Sequence, residues 1–141
     1  MKILIINGPN LNLLGKREPT IYGSNSFDEL LNSLQKTYKD TEIDYFQSNI
    51  EGEMVSEIQK ADEHYDGILL NAAAYTHTSV AIHDAIAAIG TPVLEIHISN
   101  IYKRESFRHK SIISSQCAGQ ITGLGMLGYE LGLLYFLKQP K

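Results

Sequence analysis

Between Asn7 and Gly23 the chain sets two amides (Asn10, Asn12), a guanidinium (Arg17), a carboxylate (Glu18) and a phenol (Tyr22) on one stretch that also holds three glycines and two prolines. Pro9 and Pro19 lack an amide hydrogen and push the residues before them out of the helical region, while Gly8, Gly15 and Gly23 permit backbone angles closed to other residues, so the stretch reads as a long loop. A free phenol has a pKa of about 10, which leaves roughly one molecule in a thousand ionised at neutral pH. A guanidinium within reach lowers such a value by about 1 to 3 units, and that would make Tyr22 a usable general base beside Arg17. Glu95 and His97 form a second pair. Two residues apart on a strand, they project to the same face, where the carboxylate would hold the imidazole's tautomer. The blander alternatives are a packed tyrosine with a solvated arginine, and a satisfied structural Glu–His pair.

The elements that must position these groups follow from the apolar pattern. Ile3 to Ile6 suits a central parallel strand, and the loop begins at its carboxyl end, the edge where open α/β sheets bind ligands. Ser26-Phe27-Asp28-Glu29 reads as a capping box opening a helix to about Tyr38, with Phe27, Leu30, Leu31 and Leu34 on one face. Glu42 to Gln47 alternates as a more exposed strand, and Ile50 to His64 carries Met54, Val55, Ile58 and Ala61 at helical spacing. Gly67 to Asn71 is a third strand, running into a polar turn from Asn71 to Ser79 and a helix from Val80 to Ile89. Val93 to Ile98 forms a fourth strand, which delivers Glu95, His97, Ser99 and Asn100 to the same edge. Residues 101–117 are irregular and hold Arg104, Arg108, His109 and Lys110. A last strand near Gln120 to Thr122 precedes a helix from about Met126 to Leu137 that is apolar nearly all round, with one side for the sheet and another for a second subunit. Strands alternating with helices over 141 residues predict one α/β domain, a flavodoxin-like doubly wound five-stranded parallel sheet.

Composition narrows the partners. A net charge of -4 with 20% charged residues offers no basic surface, so nucleic acid is not expected. Cys117 is the sole cysteine, which excludes an internal disulfide and suits a reducing compartment, with a buried, inert thiol. The four apolar residues near the start are too few for a signal peptide and no later stretch approaches a membrane span, so no membrane partner and a cytoplasmic location are expected. Gly123-Leu-Gly125-Met-Leu-Gly128 matches a dinucleotide fingerprint, but only 13 residues follow Gly128, too few for the rest of the unit, so helix packing is its expected role. Gly8 to Lys16 fails as a phosphate loop because Arg17 stands where Ser or Thr should bind magnesium. His77 and His83 lie about 240° apart around a helix, and His64 and His83 read as surface residues, so no metal is expected. His77 is either a hydrogen-bonding residue of the turn or a ligand contact. A flavodoxin-like module binding FMN or a small anion, and an interaction protein assembled through its last helix, are the non-catalytic alternatives.

Gly8-Pro9-Asn10-Leu11-Asn12-Leu13-Leu14-Gly15, Arg17-Glu18-Pro19, Tyr22-Gly23, Asn71 with Tyr75-Thr76-His77-Thr78-Ser79, Glu95-Ile96-His97-Ile98-Ser99-Asn100 and Phe107-Arg108-His109 together resemble type II 3-dehydroquinate dehydratase over essentially the whole chain. Ala72, His83 and Lys110 depart from the residues common there. The resemblance implies a cofactor-free, metal-free trans dehydration of 3-dehydroquinate. It makes Tyr22 the base, with its pKa lowered by Arg17, and gives Asn12 a water that stabilises an enolate. His97, oriented by Glu95, becomes the acid. Asn71, His77 and Arg108 would hold ring hydroxyls, and Ser99 with the backbone of Ile98 the carboxylate. It further implies trimers grouped into a homododecamer, with Asp84 reaching a neighbour's site.

Overall fold

The computed structural model describes residues 1–16 and 26–140, so the expectations for Arg17, Glu18 and Tyr22 lie outside the described residues. The strands are β1 (Lys2–Asn7), β2 (Glu42–Gln47), β3 (Gly67–Asn71), β4 (Val93–His97) and β5 (Gly119–Thr122); the α-helices are α1 (Phe27–Thr37), α2 (Glu51–Ala61), α3 (Val80–Ala87) and α4 (Leu127–Leu137). Every neighbouring strand pair is parallel, in the order β2-β1-β3-β4-β5. The chain thus winds outward from β1 to β2, returns past β1, and winds the other way to β5. The point of reversal lies between β1 and β3.

Alternation along the central strands divides the core into two layers. Ile3, Ile5, Leu69, Leu94 and Ile96 pack with Phe27 and Leu34 of α1 and with Tyr129, Leu133 and Phe136 of α4. Leu4, Ile6, Ile68, Leu70 and Val93 pack on the opposite face with Met54, Ile58 and Ala61 of α2 and Ile82, Ala85 and Ile86 of α3. Both faces of the middle strands are covered, which is why they read as continuous apolar runs. α4 lies close on the sheet at Gly132, where a Cβ would stand 2.7 Å from Leu69 Cδ2.

Side chains set several helix starts. Ser26 Oγ accepts from the Glu29 amide at 3.3 Å and Ser79 Oγ from the Ile82 amide at 2.9 Å, each satisfying an otherwise orphaned first-turn donor. α2 is shorter than the apolar spacing predicts. Asp62 leaves the helix with an extended ψ of 135° and Glu63 takes a φ of 67°, so the chain has turned before His64. The stretch after β1 is less irregular than expected, with a 3-10 turn at Leu11–Leu13, and the 101–117 segment holds three more, at Ile101–Lys103, Ser106–Arg108 and Ser114–Gln116. These turns are too short to leave a periodic apolar pattern. Among the described residues no helix is long and apolar enough to cross a membrane.

Candidate active site

β1, β3 and β4 end side by side, and each presents a buried polar residue at its carboxyl end: Asn7, Asn71 and His97. The first two face the α1/α4 layer. There the buried Tyr129 hydroxyl donates to Asn7 Oδ1 at 2.7 Å and accepts from Asn71 Nδ2 at 2.9 Å. Burial pushes the Tyr129 phenol up, so it stays protonated and keeps its donor role. Asn71 Oδ1 in turn accepts from the Ala73 amide at 3.1 Å, supporting a backbone whose φ of 52° is uncommon for an alanine. Gly8 lies against this turn so closely that a Cβ would stand 2.7 Å from the Ala72 carbonyl oxygen. The loops after β1 and β3 are thereby brought together at the reversal point of the sheet.

Glu95 and His97 face the other layer. Glu95 is fully buried and its Oε2 meets His97 Nε2. Burial alone would push the Glu95 carboxyl up, but hydrogen bonds from His97, Ser114 and Gln120 and the charge of His97 together hold it below its ordinary value. An ionised carboxylate only accepts, so Nε2 carries the shared hydrogen and Nδ1 is the ring nitrogen left for the cavity that His97 lines. The His77 ring stacks near it, with centroids 6.4 Å apart. His77 Nδ1 donates to the Lys110 carbonyl at 2.8 Å, and burial first, then the charges of His97 and Arg108, press its pKa down. His77 therefore stands neutral, with Nε2 free to accept.

One cavity at this edge is lined by Asn71, His77, His97, Ile98, Ser99 and Arg108, with the Pro9–Asn10 turn and Arg104 around them. Glu95 sits behind His97. Arg108 Nε donates to Glu105 Oε2 at 2.5 Å, and Arg104 Nη1 donates to Ser99 Oγ at 3.3 Å. Two guanidiniums beside an apolar floor of Leu11 and Leu14 suit a small anion with hydroxyl groups. Asn12 lines an adjoining cavity with Ser26 and Tyr45, beyond Leu11 and Leu14, which border both. Asp84 stands apart on α3, where its Oδ1 meets His83 Nδ1 at 2.9 Å.

Sequence reasoning assigned no role to Arg104, although its charge in an irregular segment was visible. It also missed Tyr129, Ser111, Ser114 and Gln120, whose partners are brought to them only by the fold. Cys117 is half-buried, its Sγ donates to the Ile113 carbonyl at 3.5 Å, and burial with the nearby Glu95 charge pushes its thiol up to about 12, an unreactive state. Gly128 packs over Ile121 and Ile96, in keeping with a packing role for the glycine-rich turn. Among the described residues no group of three or more His, Cys, Asp or Glu is arranged to hold a metal ion.

Comparison with known proteins gives consistent matches across the chain. A family model described as dehydroquinase class II matches residues 1–137. The 3-dehydroquinate dehydratase of Fusobacterium nucleatum is 55% identical over 98% of this chain and 97% of its own. That of Caldicellulosiruptor saccharolyticus is 53% identical with the same coverage. Among solved structures, the type II dehydroquinase from Butyrivibrio crossotus superposes with a TM-score of 0.94 at 44% identity, covering 98% of each chain. That from Propionibacterium acnes gives 0.93 at 39%, covering 98% of this chain and 97% of its own.

Proposed function

The chain belongs to the class II dehydroquinase family, and from that premise we propose that it is a 3-dehydroquinate dehydratase, a hydro-lyase that eliminates water to give 3-dehydroshikimate. In this reading the Tyr22 phenolate, made available by Arg17, removes the proton beside the ketone. The electron pair moves into the carbonyl to form an enolate, and a water held by Asn12 stabilises the charge. Collapse of the enolate expels the hydroxyl, to which His97, as the imidazolium with its second hydrogen on Nδ1, gives that hydrogen so that it leaves as water. Asn71, His77 and Arg108 bind the ring hydroxyls; Ser99 and the Ile98 backbone bind the substrate carboxylate. Neither metal nor cofactor takes part. Trimers assemble into a cytoplasmic dodecamer of the shikimate pathway, with Asp84 reaching across to a neighbour's site.

The observation that carries this reading is the buried Glu95–His97 pair, whose free ring nitrogen is left for a cavity lined by two arginines at the carboxyl edge of the sheet. The neutral His77 supports it, since an Nε2 that accepts suits a substrate hydroxyl. Incubation of the purified chain with 3-dehydroquinate should produce the ultraviolet absorbance of a conjugated enone, undiminished by exhaustive chelation. No absorbance change at micromolar enzyme would overturn the reading.

A further inference from the structure

Glu95 makes more contacts than an orienting partner for one imidazole requires. Its Oε2 accepts from His97 Nε2 and from Gln120 Nε2 at 2.7 Å. Its Oε1 accepts from Ser111 Oγ at 3.0 Å and from Ser114 Oγ at 2.5 Å. The Ser114 amide donates to Ser111 Oγ at 3.2 Å and Gln120 Nε2 donates to Ser114 Oγ at 3.1 Å, so each hydroxyl already accepts and turns its own hydrogen to Glu95. Four donors occupy the four acceptor positions of the carboxylate. A protonated Glu95 would turn one of these acceptor positions into a donor, so at least one of the four hydrogen bonds would have to break or reverse.

We propose that Ser111, Ser114 and Gln120 are positioning residues for the reaction. They clamp Glu95 as an ion and so hold one hydrogen of His97 on Nε2, which leaves Nδ1 as the nitrogen that carries the second hydrogen of the imidazolium and delivers it to the leaving hydroxyl. The proposal rests on the assignment of His97 as the acid. The parts of the clamp come from separate elements, since Ser111 and Ser114 flank the turn before β5 while Gln120 stands on β5 opposite Glu95 in register. Among the described residues, the other titratable groups around the pair and its clamp are His77 from the turn after β3, Tyr102, Arg104, Arg108, His109 and Lys110 from the segment after β4, and the protonated Cys117 thiol. None of them donates to the Glu95 carboxylate in the way the clamp does.

The test uses Ser114→Ala, Gln120→Leu and their combination in the full chain, with Ser114→Thr as the conservative control. Turnover should fall by about 10- to 100-fold in the double variant, a part of the roughly 10² to 10⁴ that general acid–base catalysis supplies, while KM stays within about twofold. Ser114→Thr, which keeps the hydroxyl, should stay near the parent in turnover. Nitrogen-15 NMR of the substrate-free protein, at a pH high enough that the ring of His97 carries one hydrogen, should show that hydrogen on Nε2 in the parent and a mixture of tautomers in the double variant. Turnover within twofold of the parent together with an unchanged tautomer would overturn the proposal. If the double variant does not fold, Gln120→Leu alone, which removes one donor from a strand surface, decides by the same two readouts. A parent that does not dehydrate the substrate refutes the functional reading instead, and the nitrogen spectra still judge the clamp.

Discussion

At the scale of single residues, the reaction needs a base stronger than a carboxylate and an acid held in one tautomer. Glu95 is committed to His97 and its clamp, so it is not available to abstract a proton. A proton beside a ketone is weakly acidic, and a phenolate matches it better than a carboxylate once a guanidinium has brought its pKa down. Tyr22→Phe keeps the ring and deletes the only ionisable atom. Substrate binding should survive, and turnover should fall by at least about 10² to 10⁴, the usual worth of general-base catalysis. Arg17→Ala should lower turnover and move the rising limb of the pH profile upward, since the phenol would lose its cation. Steady-state kinetics across pH measures both effects. Turnover of Tyr22→Phe within a few-fold of the parent would hand the base to another group.

At the scale of elements, close packing and helix propensity make predictions of opposite sign for one kind of substitution. Gly132→Ala puts a methyl 2.7 Å from Leu69 Cδ2, 3.1 Å from Ile96 Cδ1 and 3.2 Å from Leu94 Cδ2, all in a filled layer. Overpacking costs about 1–3 kcal/mol, more than the roughly 1 kcal/mol that alanine gains over glycine in a helix, so this variant should melt lower. Gly52→Ala in α2 meets nothing within 4 Å and should stabilise by about 0.5–1 kcal/mol. Calorimetry of the two variants checks the contrast. Glu95 adds a pH dependence. Its folded pKa is depressed below the ordinary 4.5, so its contribution is complete above that value and is lost only as pH falls through the lower folded value. Glu95→Gln should therefore be less stable than the parent near neutrality, by about 1–3 kcal/mol for mispaired buried groups, and the gap should close in acid. The same scale explains what the sequence made legible. Glu42–Gln47 is readable to the residue from its alternation and Gly67–Asn71 from its apolar run, each bounded by turn residues. The pairing of Glu95 with His97 is readable because it is local to one strand. The clamp was not, because Ser111, Ser114 and Gln120 are ordinary polar residues until a parallel register sets Gln120 opposite Glu95. Nor was the place of Asn12 in a cavity adjoining the main one, which depends on how Leu11 and Leu14 turn inward around a 3-10 turn to border both.

At the scale of the whole molecule, the last helix raises the question of what covers its outer side. Gly128, Tyr129, Gly132, Leu133 and Phe136 of α4 are buried against the sheet. On the opposite side, Leu127 is 54% exposed and Tyr135 37%, and Leu131 and Leu134 lie between them at helical spacing, only half-buried. Four apolar side chains in one stripe on a lone chain would leave a contiguous patch of the kind that soluble monomers seldom carry. A closed assembly of identical chains removes it, because a symmetric interface can bury the same stripe on each copy. Light scattering at micromolar concentration should accordingly give a mass several times that of one chain. Leu131→Glu places a charge in the middle of the stripe without entering the sheet-facing layer, so it should lower that mass while leaving the circular dichroism of the fold unchanged. A monomeric mass for the parent would refute the assembly, and an unaltered oligomer in Leu131→Glu would move the interface to another face of the molecule.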